Sequence, residues 1–294
     1  MKRVAIIGAK GFVGSYLIRE FEDAGYSVFP ADLPEVDILD RKKLDLFFGK
    51  TRPDFIVNLA AISSVGASWK NPGQTIQVNV NGSLNIMDSL VDLELISSKI
   101  LLVGSSEQYA PLDRPILESD STLASNPYGI SKIAQENFAD LYRLKHGLNI
   151  ISTRSFNHTG VGQSDQFVIP SFCKQAAEID KSGLPGKIYV GNLSAYRDIS
   201  EVRDVVHVYR MLLEEEQNFH LFNVGSGDAY SIEDLLNYIL SLSSHKIEIV
   251  KDPARFRPVE NAYICCDNSR VKKYWGNKNI LDTIREMFLH FKNI

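Results

Sequence analysis

Hydrophobic positions along the first half of the chain alternate between short β-branched runs and stretches with helical spacing. The runs are RVAIIG (3–8), SVFPA (27–31), DFIVNLA (54–60), KILLVGS (99–105) and LNIISTRS (148–155). Between them, helical patterns cover Phe12 to Gly25, about 41–50, about 74–96 and about 127–146. Strands that read as unbroken apolar runs suit burial on both faces, and their alternation with helices predicts an α/β fold built on a doubly wound parallel sheet. Beyond Arg154 the regularity weakens. Loops rich in Gly, Asn and Asp separate a helix near 168–182, a strand at KIYVG (187–191), and helices at 202–216 and 231–243, while HLFNVGS (220–226) reads as another buried strand. The pattern predicts a Rossmann domain over 1–155 and a smaller, interleaved substrate-binding region over 156–294, with segments near 188–226 returning to the sheet.

Composition narrows the class. With 294 residues and 44% hydrophobic side chains, the chain can bury a sizeable core. A net charge of −4 in mixed order gives no general reason to bind nucleic acid or an anionic membrane, so an anionic ligand needs locally placed arginines. The three cysteines, Cys173 and the adjacent Cys265 and Cys266, lack the spacing of a disulfide scaffold or a zinc site, and a reducing cytoplasm is the expected home. No stretch reaches membrane-spanning length, and the N-terminal apolar run is interrupted by glycines with no cleavage site after it. No metal is expected.

Chemistry enters at three places. In IIGAKGFVGSYL, Gly8, Gly11 and Gly14 fall between the first strand and first helix, where glycine permits a tight turn and lets a pyrophosphate approach the helix N-terminus. Asp32 ends the second strand, placed to accept from adenosine ribose hydroxyls and to repel a 2′-phosphate, which favours NAD(H) with NADP(H) as the alternative. Asp37 either meets the adenine amino group or sits near a solvated helix start, as Asp40 does when read as an N-cap. In SNPYGISKIAQENF, Tyr128 and Lys132 are four residues apart on one helical face. An ammonium beside the phenol, together with a positively charged nicotinamide, favours the phenolate, so Tyr128 is expected to have a lowered pKa and to exchange a proton with a sugar hydroxyl or ketone. Ser105, after the central strand, is placed to bind the same oxygen, and Glu107 follows two residues later.

A glycine turn on strand one, a serine after a central strand and Tyr-x-x-x-Lys on the next helix, in that order, resemble the extended short-chain dehydrogenase/reductase family, in its branch of nucleotide-sugar epimerases and dehydratases. The segments RSFNHTGVGQ (154–163), GNLSAYRDISEVRDVV (191–206) and ARFRPVENAYICCD (254–267) look like its GDP-mannose branch, which contains dehydratases and ketosugar reductases. The resemblance implies a cofactor site lined by Phe12, Val13, Ile38, Leu59, Ala60 and Ala61, with Tyr128 and Lys132 beside the nicotinamide. It implies a GDP-sugar held by Asn157, Val168 and Glu260. A diphosphate calls for arginine forks, and Arg197 and Arg257, both read as loop residues, are the candidates, with Lys174 as a third. Arg203 reads as a helix-surface or salt-bridge residue, and His158 as a hydrogen-bonded structural one.

Within the branch, Glu107 suits either the C5 base of a dehydratase or a sugar contact in a reductase. Ser105-Ser106-Glu107 in place of Thr-Ser-Glu, and the short passage NLAAISSVGASWKNP without an extra arginine loop, favour a reductase with a product of the GDP-D-rhamnose type. Asn58, Ala110 and Val161 depart from the family's usual histidine, glycine and proline. Helices 74–96 and 127–146 carry apolar residues beyond one stripe, Ile76, Val80, Leu84 and Met87 on the first and Ile133, Phe138, Leu141 and Tyr142 on the second, which predicts a homodimer.

Overall fold

A computed structural model describes residues 1–256, 261–276 and 278–294. In the first half, strands β1 (Arg3–Ile7), β2 (Ser27–Ala31), β3 (Phe55–Asn58), β4 (Lys99–Val103) and β5 (Asn149–Ser155) coincide closely with the apolar runs. They are separated by helices α1 (Phe12–Asp23), α2 (Arg41–Thr51), α3 (Val65–Lys70), α4 (Pro72–Ile76), α5 (Gly82–Asp92) and α6 (Pro127–His146). The single helix expected over 74–96 is α4 joined to α5 by a π-helical turn, Gln77–Asn81.

The second half contributes β6 (Asn157–Thr159), α7 (Val168–Ser182), β7 (Gly186–Val190), β8 (Tyr196–Glu201), α8 (Val202–Glu214), β9 (Leu221–Val224), β10 (Ala229–Ser231), α9 (Ile232–Ser241), β11 (Ile247–Lys251), β12 (Tyr263–Ile264) and α10 (Ile280–Asn293). Six strands form one parallel sheet in the order β2-β1-β3-β4-β5-β9. One row of the register runs Ala31, Ile7, Asn58, Leu102, Ser152, Leu221.

The period of two along these strands sends alternate side chains to opposite faces, and both faces are covered. Val4, Ile6, Val57, Leu101 and Ile151 meet α1 and α8 on one side, while Ala5, Ile7, Ile56, Ile100 and Ile150 meet α2, α5 and α6 on the other. A separate apolar core, from Ile169, Phe172, Ile188, Ile199, Leu236, Ile284 and Phe288, holds α7, α9, α10, β7 and β8 together. Of the stretch near 188–226, only β9 joins the parallel sheet. β7 pairs with β11, and β8 lies between β10 and β12 with β6 also paired to it, because their inward residues belong to the second core.

Because every strand of the main sheet is parallel, the loops after β1, β3, β4 and β5 all open at one edge. The strand order reverses between β1 and its neighbours β2 and β3, which makes the crevice at that edge the expected ligand position. β6 begins two residues after β5 ends and brings the second lobe over the same edge.

Candidate active site

The turn after β1 is built for close approach. Gly8 has φ +81°, and a Cβ there would stand 2.7 Å from the backbone nitrogen of Ala60, so the turn and the Leu59-Ala60-Ala61 segment after β3 press against each other. A Cβ on Gly14 would collide with the carbonyl of Ala9, so α1 meets the turn only through glycine. Gly11 caps α1 without a side-chain hydrogen bond, and the first N–H groups of the helix, from Phe12, Val13 and Gly14, are aimed at the crevice mouth in the way that suits a pyrophosphate.

Asp32 faces this turn. One carboxylate oxygen accepts the backbone N–H of Lys10 at 2.7 Å and the other that of Leu33 at 2.8 Å. A carboxylate has about four lone-pair directions, so acceptor capacity remains for a ribose. Lys10 itself donates to the carbonyl of Leu33 and pairs with Glu35 at 3.1 Å. Asp37 accepts from Leu39 N–H, and Asp40 is the N-cap of α2, accepting from Lys43. Ile38 is buried, its side chain packed where a Cβ on Gly82 of α5 would fall. The residues of this crevice therefore fit a nicotinamide dinucleotide: a glycine cradle, an uncapped helix start and an acidic residue at the end of the second strand.

At the end of β4, Ser105 caps a 3₁₀ turn, Ser106–Gln108, and accepts from Glu107 N–H at 3.2 Å. Tyr128 is the second residue of α6, and its buried phenol lies near Ser105, whose hydroxyl acts on its titration. The helix is aimed by its own start. Asn126 caps it through Gly129 N–H at 2.9 Å and, with its other amide end, donates to the Glu107 carboxylate at 2.8 Å. Ser68 accepts the Tyr128 N–H. Asn79, in the π turn, accepts the N–H of Ile62, donates to the carbonyl of the same residue and donates to Ser131, whose hydroxyl in turn donates to Tyr128 O. These polar anchors were not singled out from sequence; the Ser/Asn-rich start of α6 was the signal available.

The electrostatics differ from expectation. Burial pushes the Tyr128 phenol up to about 12, with the nearby Ser105 hydroxyl lowering it and the Glu107 charge raising it. Lys132 is also buried, and that burial alone brings its amine down to about 7. Its Nζ donates to Val103 O at 2.7 Å and to Gln135 at 2.9 Å. Without the cofactor's charge the Tyr128 pKa is raised rather than lowered: desolvation of the phenolate is the largest cause, and the Lys132 amine is spent on Val103 O and Gln135.

On the second lobe, Asn157 is exposed at the start of β6, paired with Ile199 of β8. Arg197 lies inside β8 rather than in a loop, buried, with its guanidinium donating to Tyr196 O, so the segment read as a loop is a strand. Val168 is the exposed first residue of α7. Lys174 pairs with Asp165 at 2.6 Å, which raises its pKa and neutralises much of its charge toward an anion. Arg257 and Glu260 lie outside the described residues. His158 is half-buried, its pKa lowered by desolvation, its Nδ1 hydrogen-bonded to Phe156 O and its ring stacked on Phe12. Arg203 pairs with Glu201 and Glu286.

Comparison with known proteins agrees with this geometry. The family model described as GDP-mannose 4,6 dehydratase matches residues 30–287. GDP-6-deoxy-D-mannose reductase from Pseudomonas aeruginosa is 30% identical, covering 94% of this chain and 92% of that protein. GDP-6-deoxy-D-talose 4-dehydrogenase from Aggregatibacter actinomycetemcomitans is 28% identical, covering 96% and 94%. The solved structure of RMD from Pseudomonas aeruginosa complexed with NADPH superposes with a TM-score of 0.92 at 26% identity, covering 100% of this chain and 99% of that one. With the glycine cradle, the Ser105–Tyr128 pair and Lys132 on one sheet edge, the chain belongs to the GDP-mannose 4,6 dehydratase family, within the extended short-chain dehydrogenases/reductases that modify nucleotide sugars.

Proposed function

We propose that the chain reduces the C4 ketone of GDP-4-keto-6-deoxy-D-mannose to a GDP-6-deoxyhexose of the GDP-D-rhamnose type, using NAD(P)H. The observation that carries this reading is the placing of Tyr128 and Lys132, one turn apart and buried at the start of α6, beside Ser105 at the end of β4, with burial holding the proton on the phenol. At neutral pH it is protonated, the form a ketone reduction requires of its acid.

The Gly8–Gly14 turn and the first N–H groups of α1 would hold the cofactor's pyrophosphate, Asp32 its adenosine ribose and Lys132 its nicotinamide ribose. The wall of that site would be Phe12, Val13, Ile38, Leu59, Ala60 and Ala61, with Asp37 near the adenine. Asp32 supports NADH, since a 2′-phosphate would meet its charge. When bound, the reduced cofactor supplies the hydride that makes the new C4–H bond. Ser105 orients the ketone oxygen, and Tyr128 gives it the proton as negative charge develops there. Glu107, tethered by Asn126, would contact the sugar. Asn157, Val168, Arg197, Arg257, Glu260 and Lys174 remain the proposed holders of the GDP-sugar.

A dehydratase reading is favoured by one observation, that Glu107 lies close enough to Tyr128 to raise its pKa. A pair of assays separates the two. The purified protein should leave GDP-mannose untouched and consume the 4-keto-6-deoxy intermediate with NADH or NADPH; turnover of GDP-mannose without added reductant would sink the reductase reading.

The second part of the reading is a homodimer formed through the outer face of α4 and α6. Ile76, Ile130, Phe138, Leu141 and Leu144 are exposed there, whereas Val80 and Met87, expected on the same apolar face, are buried, Met87 in the core beneath the sheet.

A further inference from the structure

Gln108 is fully buried in the turn that carries Ser105 and Glu107, a place where an apolar side chain would pack without hydrogen-bonding demands. Its Oε1 accepts the backbone N–H of Ser105 at 2.9 Å, and its Nε2 donates to Oε2 of Glu136 at 2.8 Å. That pattern admits one orientation of the amide, because only its oxygen suits the N–H and only its NH₂ suits the carboxylate. Gly104 makes the arrangement possible: a Cβ there would collide with this same Oε1 and with the carbonyl of Thr153.

Glu136 lies four residues beyond Lys132 on α6, so it is rigidly coupled to the helix that presents Tyr128. Its carboxylate is clamped by Arg154 of β5, with Nε at 2.9 Å and a terminal guanidinium nitrogen on the other oxygen. Arg154 in turn lies 4.6 Å over the ring of Tyr109 and donates to Glu118 O at 3.3 Å. A buried ion pair of this kind is weak evidence for stability, since well-packed apolar residues in its place are often neutral or stabilising. The ion pair instead fixes Glu136 between α6 and β5, where the Gln108 amide ties it to the loop after β4.

We propose that Glu136, clamped by Arg154, is a positioning residue for Ser105 and acts through the Gln108 amide, fixing the serine against Tyr128. The inference rests on the reading of Ser105 given above. The Ser105 N–H is held from the helix side, so the loop and the helix move as one unit and the Ser105 hydroxyl keeps its place beside the Tyr128 phenol.

The test is a double-mutant cycle of Gln108→Leu and Ser105→Ala, with kcat and KM measured separately for the ketosugar, together with crystal structures of Gln108→Leu and Glu136→Gln. Gln108→Leu should lower kcat about ten- to a hundredfold, as expected for misplacement of a catalytic group, with KM changed less than about twofold. In the Ser105→Ala background it should have no further effect, and the Ser105 hydroxyl should be displaced from Tyr128 in both crystal structures. Equal losses in the two backgrounds overturn the inference, because a structural role would not depend on the serine hydroxyl. If Gln108→Leu fails to fold, Glu136→Gln serves the same cycle with a smaller loss. An unmoved Ser105 in the crystals overturns the inference whatever the substrate is, whereas an unaltered protein that ignores the ketosugar overturns the functional reading and leaves the relay to the crystals.

Discussion

Tyr128 and Lys132 depart in opposite directions from their ordinary values for one reason: each would carry its charge into a desolvated site. For Tyr128 this keeps the proton on the phenol, and Tyr128→Phe should therefore lower kcat about 10²- to 10⁴-fold while nucleotide binding, followed by calorimetry, stays near that of the unaltered protein. For Lys132 the sign runs the other way. The cation is populated below about 7 and lost above it, so kcat/KM, which reports the free enzyme, should fall as pH rises through neutrality. A profile that stays flat up to pH 10 would contradict a role for the charged form. Asp32 illustrates what a motif can and cannot say: its place at the end of β2 was readable, but its two bonds to Lys10 and Leu33 N–H groups depend on how the glycine turn folds back over it.

Helix α6 owes its aim to its first turn. Asn126 and Pro127 form a strong start signal, an N-cap followed by proline at the first helical position, and the helix ends at Gly147 in the left-handed region. The same Asn126 side chain also holds Glu107, so Asn126→Ala should cost about 1 kcal/mol of stability from the lost cap, measured by urea denaturation. A loss of rate at saturating substrate beyond that expected from stability would report the freed carboxylate. The helix expected over 74–96 breaks into α4, a π turn and α5 for a local reason. The extra residue in the turn lets Asn79 reach Ile62 and Ser131, and hydrophobic periodicity carries no mark of such an insertion.

Among the described residues the chain passes back and forth between the main-sheet core, taken as the first, and the second-lobe core: β7 and β8 pack in the second, α8 and β9 in the first, and α9 and α10 in the second again. Val271 and Tyr274, far along the chain, return to the first. The outward apolar residues of α6 sit on one face, Ile130, Leu141 and Leu144 falling at helical spacing, and burying them in a second copy would remove that surface from water. Light scattering at working concentration should give twice the chain mass, and Leu141→Glu should give a monomer; a monomeric unaltered protein would overturn the dimer. Among the described residues no helix is long and apolar enough to cross a membrane.

The parallel sheet, its flanking helices and the order of the Gly8 turn, Ser105, Tyr128 and Lys132 could be read from sequence because each depends on local chemistry: β-branched runs buried on both faces, glycines at a turn, and a tyrosine and lysine one helical turn apart. Strand partnership in the second half could not, since β7 looks locally like a strand of the main sheet while β8 reads as a loop, and only the side chains facing their inner surfaces assign both to the second core. The strand position of Arg197, the pairing of Lys174 with Asp165, the upward shift of Tyr128 and the Gln108–Glu136–Arg154 chain likewise arose only in the folded molecule. Each depends on residues distant in sequence meeting where water is excluded, and hydrogen-bond partnership and desolvation in such places are properties of the assembled site.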